Sequence, residues 1–133
     1  MSAFGMTMAV IAAFQAGQFN LECTGQEWDR LQGGRAKPYS TTLRIDLVSN
    51  RWCRDDCAAG RPIISATDDR IELEKEEPPP TSRYLRVTSG VTINRIDGTY
   101  REFFSMIGST VQQYRREAVC TAAPFTGLPA PRF

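Results

Sequence analysis

From residue 18 onward, apolar and polar positions alternate with the two-residue period of β-strands. Phe19, Leu21 and Cys23 share one face of a segment over 18–24, and Asn20 and Glu22 the other. The clearest strand runs over 39–48, where Leu43, Ile45 and Leu47 alternate with Arg44 and Asp46 and β-branched Thr41 and Thr42 precede them. The same reading predicts strands at 51–53, 63–67, 70–75, 84–87, 91–96, 99–107 and 110–120. Turn chemistry separates them. Residues 25–38, with Gly33, Gly34 and Pro38, read as a polar loop or a hairpin with a glycine tip. Ser49-Asn50 and Asp68-Asp69 read as turns, and the Pro78-Pro79-Pro80 run cannot join a ladder. Asn94 to Gly98 reads as a hairpin loop longer than two residues, because a strict two-residue loop would set Ile93 against Glu102. No capped helix-period segment follows residue 20. The pattern predicts an all-β fold: a single antiparallel meander forming a small barrel or a two-sheet sandwich. Meander pairing would bring Glu72 and Glu74 against Arg86 on the solvent face.

The start of the chain behaves differently. Glu22 is its first charged residue, and Met6 to Phe14 is an apolar run of signal-peptide length, well short of the roughly 20 residues of a membrane span. Small residues Ala16 and Gly17 follow. Residues 1–17 therefore read as a signal peptide or apolar N-terminal segment, 18–123 as a β domain, and 124–133 as an extended proline-rich tail. The expected location is periplasmic or secreted, with no stable transmembrane span.

Four cysteines in a small exported chain suggest a disulfide framework. The three-residue gap makes Cys53–Cys57 the easiest pair to close, which leaves Cys23–Cys120 to tie the first strand to the last. In the chain-entropy model that long loop contributes about 4–5 kcal/mol. Trp52, next to Cys53, is expected to pack over the small disulfide loop, as large rings do beside bridges in β-sandwiches.

Composition narrows the chemistry. The 133 residues, 41% hydrophobic and 23% charged, make one ordinary globular domain. A net charge of +1 argues against a nucleic-acid partner. Histidine is absent, which removes Ser–His and Cys–His nucleophile pairs and histidine metal sites. Cys53-x-x-x-Cys57 lacks the two-residue spacing of redox pairs, and the four cysteines lack the paired spacing of zinc sites. Asp55-Asp56 and Asp68-Asp69 lack the alternating oxygen ligands of a calcium loop. No catalytic residue, metal or cofactor is assigned. Fourteen arginines against two lysines suggest recognition of carboxylates or phosphates. They interleave with Tyr84, Tyr100, Phe103, Phe104 and Tyr114, a pattern similar to a single-strand nucleic-acid face, although aromatics on alternating strands more often fill cores. Arg86, Arg101, Arg115, Tyr100 and Tyr114 form the candidate ligand or partner face.

Three pieces carry a family resemblance: Phe19-Asn20-Leu21-Glu22-Cys23-Thr24-Gly25, then Trp52-Cys53-Arg54-Asp55-Asp56-Cys57, then Cys120 followed by Pro124-Phe125-Thr126-Gly127. Together they resemble a family of small uncharacterised exported bacterial proteins, over most of residues 18–129. The chain departs from that family at Val119, where a glycine is usual, and at Leu128, where a phenylalanine is usual. The resemblance implies export and a shared fold, and no reaction. The expected function is a non-catalytic binding or envelope-assembly module for an envelope protein, a glycan or a small molecule. The alternative is an envelope hydrolase using carboxylates and arginines in a cleft, for which a deep pocket lined by two or more acids would speak.

Overall fold

A computed structural model describes residues 17–55, 57, 59–77 and 85–129, which form nine β-strands and no α-helix. The strands are β1 (Gln18–Asp29), β2 (Ala36–Asp46), β3 (Arg51–Arg54), β4 (Arg61–Pro62), β5 (Ser65–Ala66), β6 (Arg70–Glu76), β7 (Arg86–Asn94), β8 (Thr99–Ile107) and β9 (Val111–Ala123). A 3-10 turn, Arg30–Gln32, joins β1 to β2. No helix among the described residues is long and apolar enough to cross a membrane.

All pairings are antiparallel, in one sheet ordered β4-β3-β2-β1-β9-β8-β7-β6-β5. Every neighbour is sequential except β1–β9. That one pairing puts β4 and β5 at opposite edges, yet only Ile63 and Ile64 separate them in the chain. The sheet must therefore curl until its edges meet. The Ile63 N–H donates to the Asn50 carbonyl beside β3 at 3.1 Å, and the Ile64 N–H to the Glu72 carbonyl on β6 at 2.9 Å. Each edge strand has two residues, so closure is confined to this end and the sheet is a half-barrel. The turns at 47–50, 67–69 and 95–98 mark the closed end. The β1–β2 and β8–β9 hairpin tips mark the open end.

The inner face carries the core: Phe19, Leu21, Leu43, Ile45, Trp52, Ile71, Leu73 and Ile93 are essentially inaccessible to solvent. Both expected disulfides are present. Cys23 and Cys120 face each other across β1 and β9 with Cα atoms 4.0 Å apart, inside the core. Cys53–Cys57 closes the loop after β3. Past β9 the chain crosses the outer face, where Asn20 Nδ2 donates to Thr126 Oγ1 at 2.9 Å and the Thr126 N–H donates back to Asn20 Oδ1 at 3.2 Å. These bonds explain why Asn20, on the polar face of β1, is buried. The 95–98 loop is the longer hairpin expected, with Ile93 opposite Tyr100 and Asn94 Oδ1 accepting the N–H groups of Ile96 and Asp97.

Several expectations need correction. β1 runs through Gly25 to Asp29 instead of ending in a loop, because this glycine serves close approach: a Cβ there would lie 2.0 Å from the Glu117 carbonyl oxygen on β9. Pro38 lies within β2, beyond the stretch 43–46 that β3 covers, so its missing N–H faces an edge without a partner strand. β4 arises between the strands expected at 51–53 and 63–67, and Ile63-Ile64 is a crossover before β5. One strand, β7, replaces the two segments expected around Gly90, which the Phe103 ring covers. The Glu72/Glu74–Arg86 pairing does not form: β6 bulges between Glu72 and Glu74, and Arg86 lies beyond its end, opposite Ile107. Trp52 is wholly buried, but strand alternation puts it inside with Ile45, while Cys53 pairs with Arg44 on the outer face. Its ring lies near the guanidiniums of Arg54 and Arg61, at 5.8 and 5.0 Å, on the face opposite the Cys53 side chain.

Candidate functional site

Toward the open end, the inner face changes from apolar to charged, row by row. The row Tyr39–Gly25–Ala118–Tyr100 crosses β2, β1, β9 and β8. Its two middle residues are small, so the flanking rings reach over them and stack with centroids 6.1 Å apart. The next row is Lys37–Glu27–Arg116–Glu102, an alternating charge ladder across the same four strands. The row beyond it pairs Tyr114 with Phe104, stacked at 5.2 Å, and Phe104 with Ser89.

Glu102 is the hub, 6% exposed. It faces inward because it shares strand parity with Tyr100 and Phe104. Oε1 accepts from the Tyr100 hydroxyl, from Arg54 Nη1 at 3.3 Å and from Arg116 Nη1 at 3.1 Å. Oε2 accepts from Arg54 Nη1 at 3.3 Å and from the Tyr114 hydroxyl at 3.4 Å. Arg116 also donates through Nε to Glu27 at 2.6 Å, and its guanidinium lies 4.4 and 4.5 Å from the Tyr114 and Tyr39 ring centroids. Burial, reinforced by the Glu102 charge, pushes the Tyr100 hydroxyl well above the usual phenol range and raises Tyr114 as well. Burial works against the charges of Arg54 and Arg116, but Glu102 and the neighbouring phenols outweigh it and raise both. Two guanidiniums thus face two carboxylates. A carboxylate offers about four acceptor sites, and the Glu102 oxygens already take bonds from four side chains. The layer is internally neutralised: four donor side chains occupy the Glu102 oxygens, and Arg116 holds Glu27 through Oε1. No cluster of three or more metal-ligating side chains occurs among the described residues.

The five candidate face residues divide between two surfaces. Tyr100 and Tyr114 meet at Glu102 on the inside. Arg86, Arg101 and Arg115 are exposed on the outside, Arg101 and Arg115 each one residue from one of those tyrosines. The same parity turns Phe104 inward and Phe103 outward, so the arginines and most of the aromatics do not share a face; Tyr84 lies outside the described residues. Glu102, Arg116, Arg54, Glu27 and Tyr39 were not singled out by sequence. The available signal was a charged residue in an apolar parity: Glu102 between Tyr100 and Phe104, and Arg116 between Tyr114 and Ala118.

On the outside, Phe103, Arg115 and Trp28 form one row across β8, β9 and β1. The Arg115 guanidinium sits 4.5 Å from the Trp28 ring centroid. Beside this pair lies a hollow of about 610 Å³ between β9 and the 3-10 turn, bounded by Trp28, Arg30, Gln113 and Arg115 and reached by the inward-pointing Tyr114. Gly33 and Gly34, at φ +82 and +69, form its remaining wall with bare backbone, and a Cβ on either would meet nothing within 4 Å. Asp29, next to the hollow, is used to cap the turn, accepting the Leu31 N–H at 2.9 Å. Among the described residues, neither Arg30 nor Arg115 has a carboxylate partner.

No family model matches the chain, and no curated protein or solved structure is similar to it.

Proposed function

We propose that the protein is an exported, non-catalytic binding module that takes its ligand or envelope partner at the outer hollow beside Trp28. The observation that carries this reading is the contrast between its two charged regions. Inside the half-barrel, both acids of the charged layer, Glu27 and Glu102, are held by Arg116. A hydrolase would need such acids free and facing a cleft. Outside, two arginines line a hollow that has no neutralising acid among the described residues. Concave sites with a few convergent polar groups beside an aromatic surface are where small ligands bind. Export is supported by the two disulfides, which fit an oxidising compartment, and by the apolar start of the chain. The test is to prepare the oxidised full chain and screen it against ester, glycoside, phosphate and peptide substrates. No turnover is expected, and a ligand found by screening should shift the amide resonances of residues 28–34 and 113–115. Turnover that disappears in Glu27→Gln or Glu102→Gln would overturn the reading. Free thiols in protein isolated from its host would overturn export.

A further inference from the structure

We infer that the hollow beside Trp28 binds a saccharide bearing a carboxylate. The inference rests on the binding-module reading and names its ligand class. Charge comes first. Arg30 and Arg115 are exposed, they line one hollow, and no acid among the described residues lines it with them. In a chain with 16 basic and 15 acidic residues, two neighbouring unneutralised guanidiniums are a local excess that an anionic ligand would complete. Geometry comes second. The Arg115 guanidinium lies 4.5 Å from the Trp28 ring centroid, a cation–π contact that holds it at the hollow, and its planar fork matches the two oxygens of a carboxylate. Shape and polarity come third. Gln113 Nε2 is bonded to Ser105 Oγ at 3.1 Å, which orients its amide so that the oxygen can accept from a hydroxyl. The bare backbone at Gly33 and Gly34 leaves room for a ring, and the Trp28 edge offers it an apolar flank. About 610 Å³ lies within the usual 300–1,000 Å³ of small-ligand sites.

Other anions fit less well. A phosphate cradle uses unpaired backbone N–H groups, but those of Gly33 and Gly34 donate to Arg30 and Asp29 carbonyls at 3.2 and 2.9 Å. A nucleic-acid strand needs successive stacking platforms along a basic groove, and the inward turn of Tyr100, Phe104 and Tyr114 removes them.

The experiment titrates the oxidised full chain with a short oligogalacturonate, with its neutral methyl ester and with a single-stranded oligonucleotide, by calorimetry and amide resonance mapping. The uronate should bind at residues 28–34 and 113–115, more weakly as salt rises. The ester should bind about tenfold or more weakly, and Arg30→Ala and Arg115→Ala should each cost about tenfold in affinity with the melting transition retained. Equal binding of ester and acid, indifference to Arg115→Ala, or no uronate binding by the folded protein would each overturn the inference. Tighter binding of the oligonucleotide would replace the ligand class. If another ligand maps to the same hollow, the binding-module reading stands and only the saccharide assignment falls; enzymatic turnover would remove the binding-module reading itself.

Discussion

Replacing Glu102 with glutamine separates a charged layer that supports the fold from one that merely decorates it. The variant keeps the size of the side chain and one carbonyl acceptor. It removes the negative charge and places an NH2 donor among the donors of Arg54, Arg116, Tyr100 and Tyr114. Breaking a buried ion pair from one side costs about 3–5 kcal/mol, because the partner stays behind uncompensated. Here Arg54 and Arg116 keep 26% and 21% side-chain exposure, so water restores part of their solvation. An expected loss of about 2–3 kcal/mol follows. In a domain of this size that corresponds to roughly 6–15 °C in Tm. Denaturant and thermal unfolding of the oxidised protein measure it, with Glu117→Gln as the control: that residue is exposed on the outer face of β9, and its loss should stay within about 0.5 kcal/mol. Adding Arg116→Met to Glu102→Gln should cost less than it does alone, since the charge it removes has already lost a partner. Parental stability in Glu102→Gln, or equal losses in the two single variants, would refute the reasoning.

Alkaline pH should act on the same layer. Tyr100 and Tyr114 have raised folded-state pKa values, whereas unfolded phenols ionise near pH 10, so the native state holds more protons above that pH. Their contribution to stability is complete below about pH 10 and is lost as pH rises beyond it; tyrosinate absorbance that titrated all four tyrosines near pH 10 in folded protein would contradict this. The disulfides should rank by loop length: serine replacement of Cys23 and Cys120, 97 residues apart, should cost about 4–5 kcal/mol, and of Cys53 and Cys57 about 2 kcal/mol, with the reverse order in denaturant unfolding counting against the entropic account. Gly25→Ala should destabilise by about 2 kcal/mol or more, because its Cβ would overlap the β9 backbone, and faster amide exchange confined to β1 and β9 would locate the damage.

Much of the fold was legible along the chain. Period-two alternation assigned an inner and an outer face within each strand, and Phe19, Leu21, Leu43, Ile45, Ile71 and Leu73 are buried as that pattern requires. The Asn94–Gly98 turn was legible because its chemistry is local: one asparagine oxygen and one glycine at φ +76 make it. The two disulfides were legible for a different reason, since four cysteines allow few pairings and one pair is nearly adjacent.

Local pattern did not extend to the relations between strands. The β1–β9 pairing and the Ile63-Ile64 crossover decide that the sheet curls, and neither leaves a mark on the alternation of any single strand. Gly25 and Pro38 resembled loop residues because their place in a strand depends on what lies beside it: a close backbone at one, an open edge at the other. The charged layer is the clearest case. Within β8, Glu102 is only an acid in an apolar parity; the β8–β9 register sets it beside Arg116, and the curl of the sheet brings Arg54 to it from β3. Alternation is set by the geometry of each strand's own backbone and can be read from sequence. Which side chains meet is set by register and curvature, which come from the packing of the whole sheet and so belong to the tertiary structure alone.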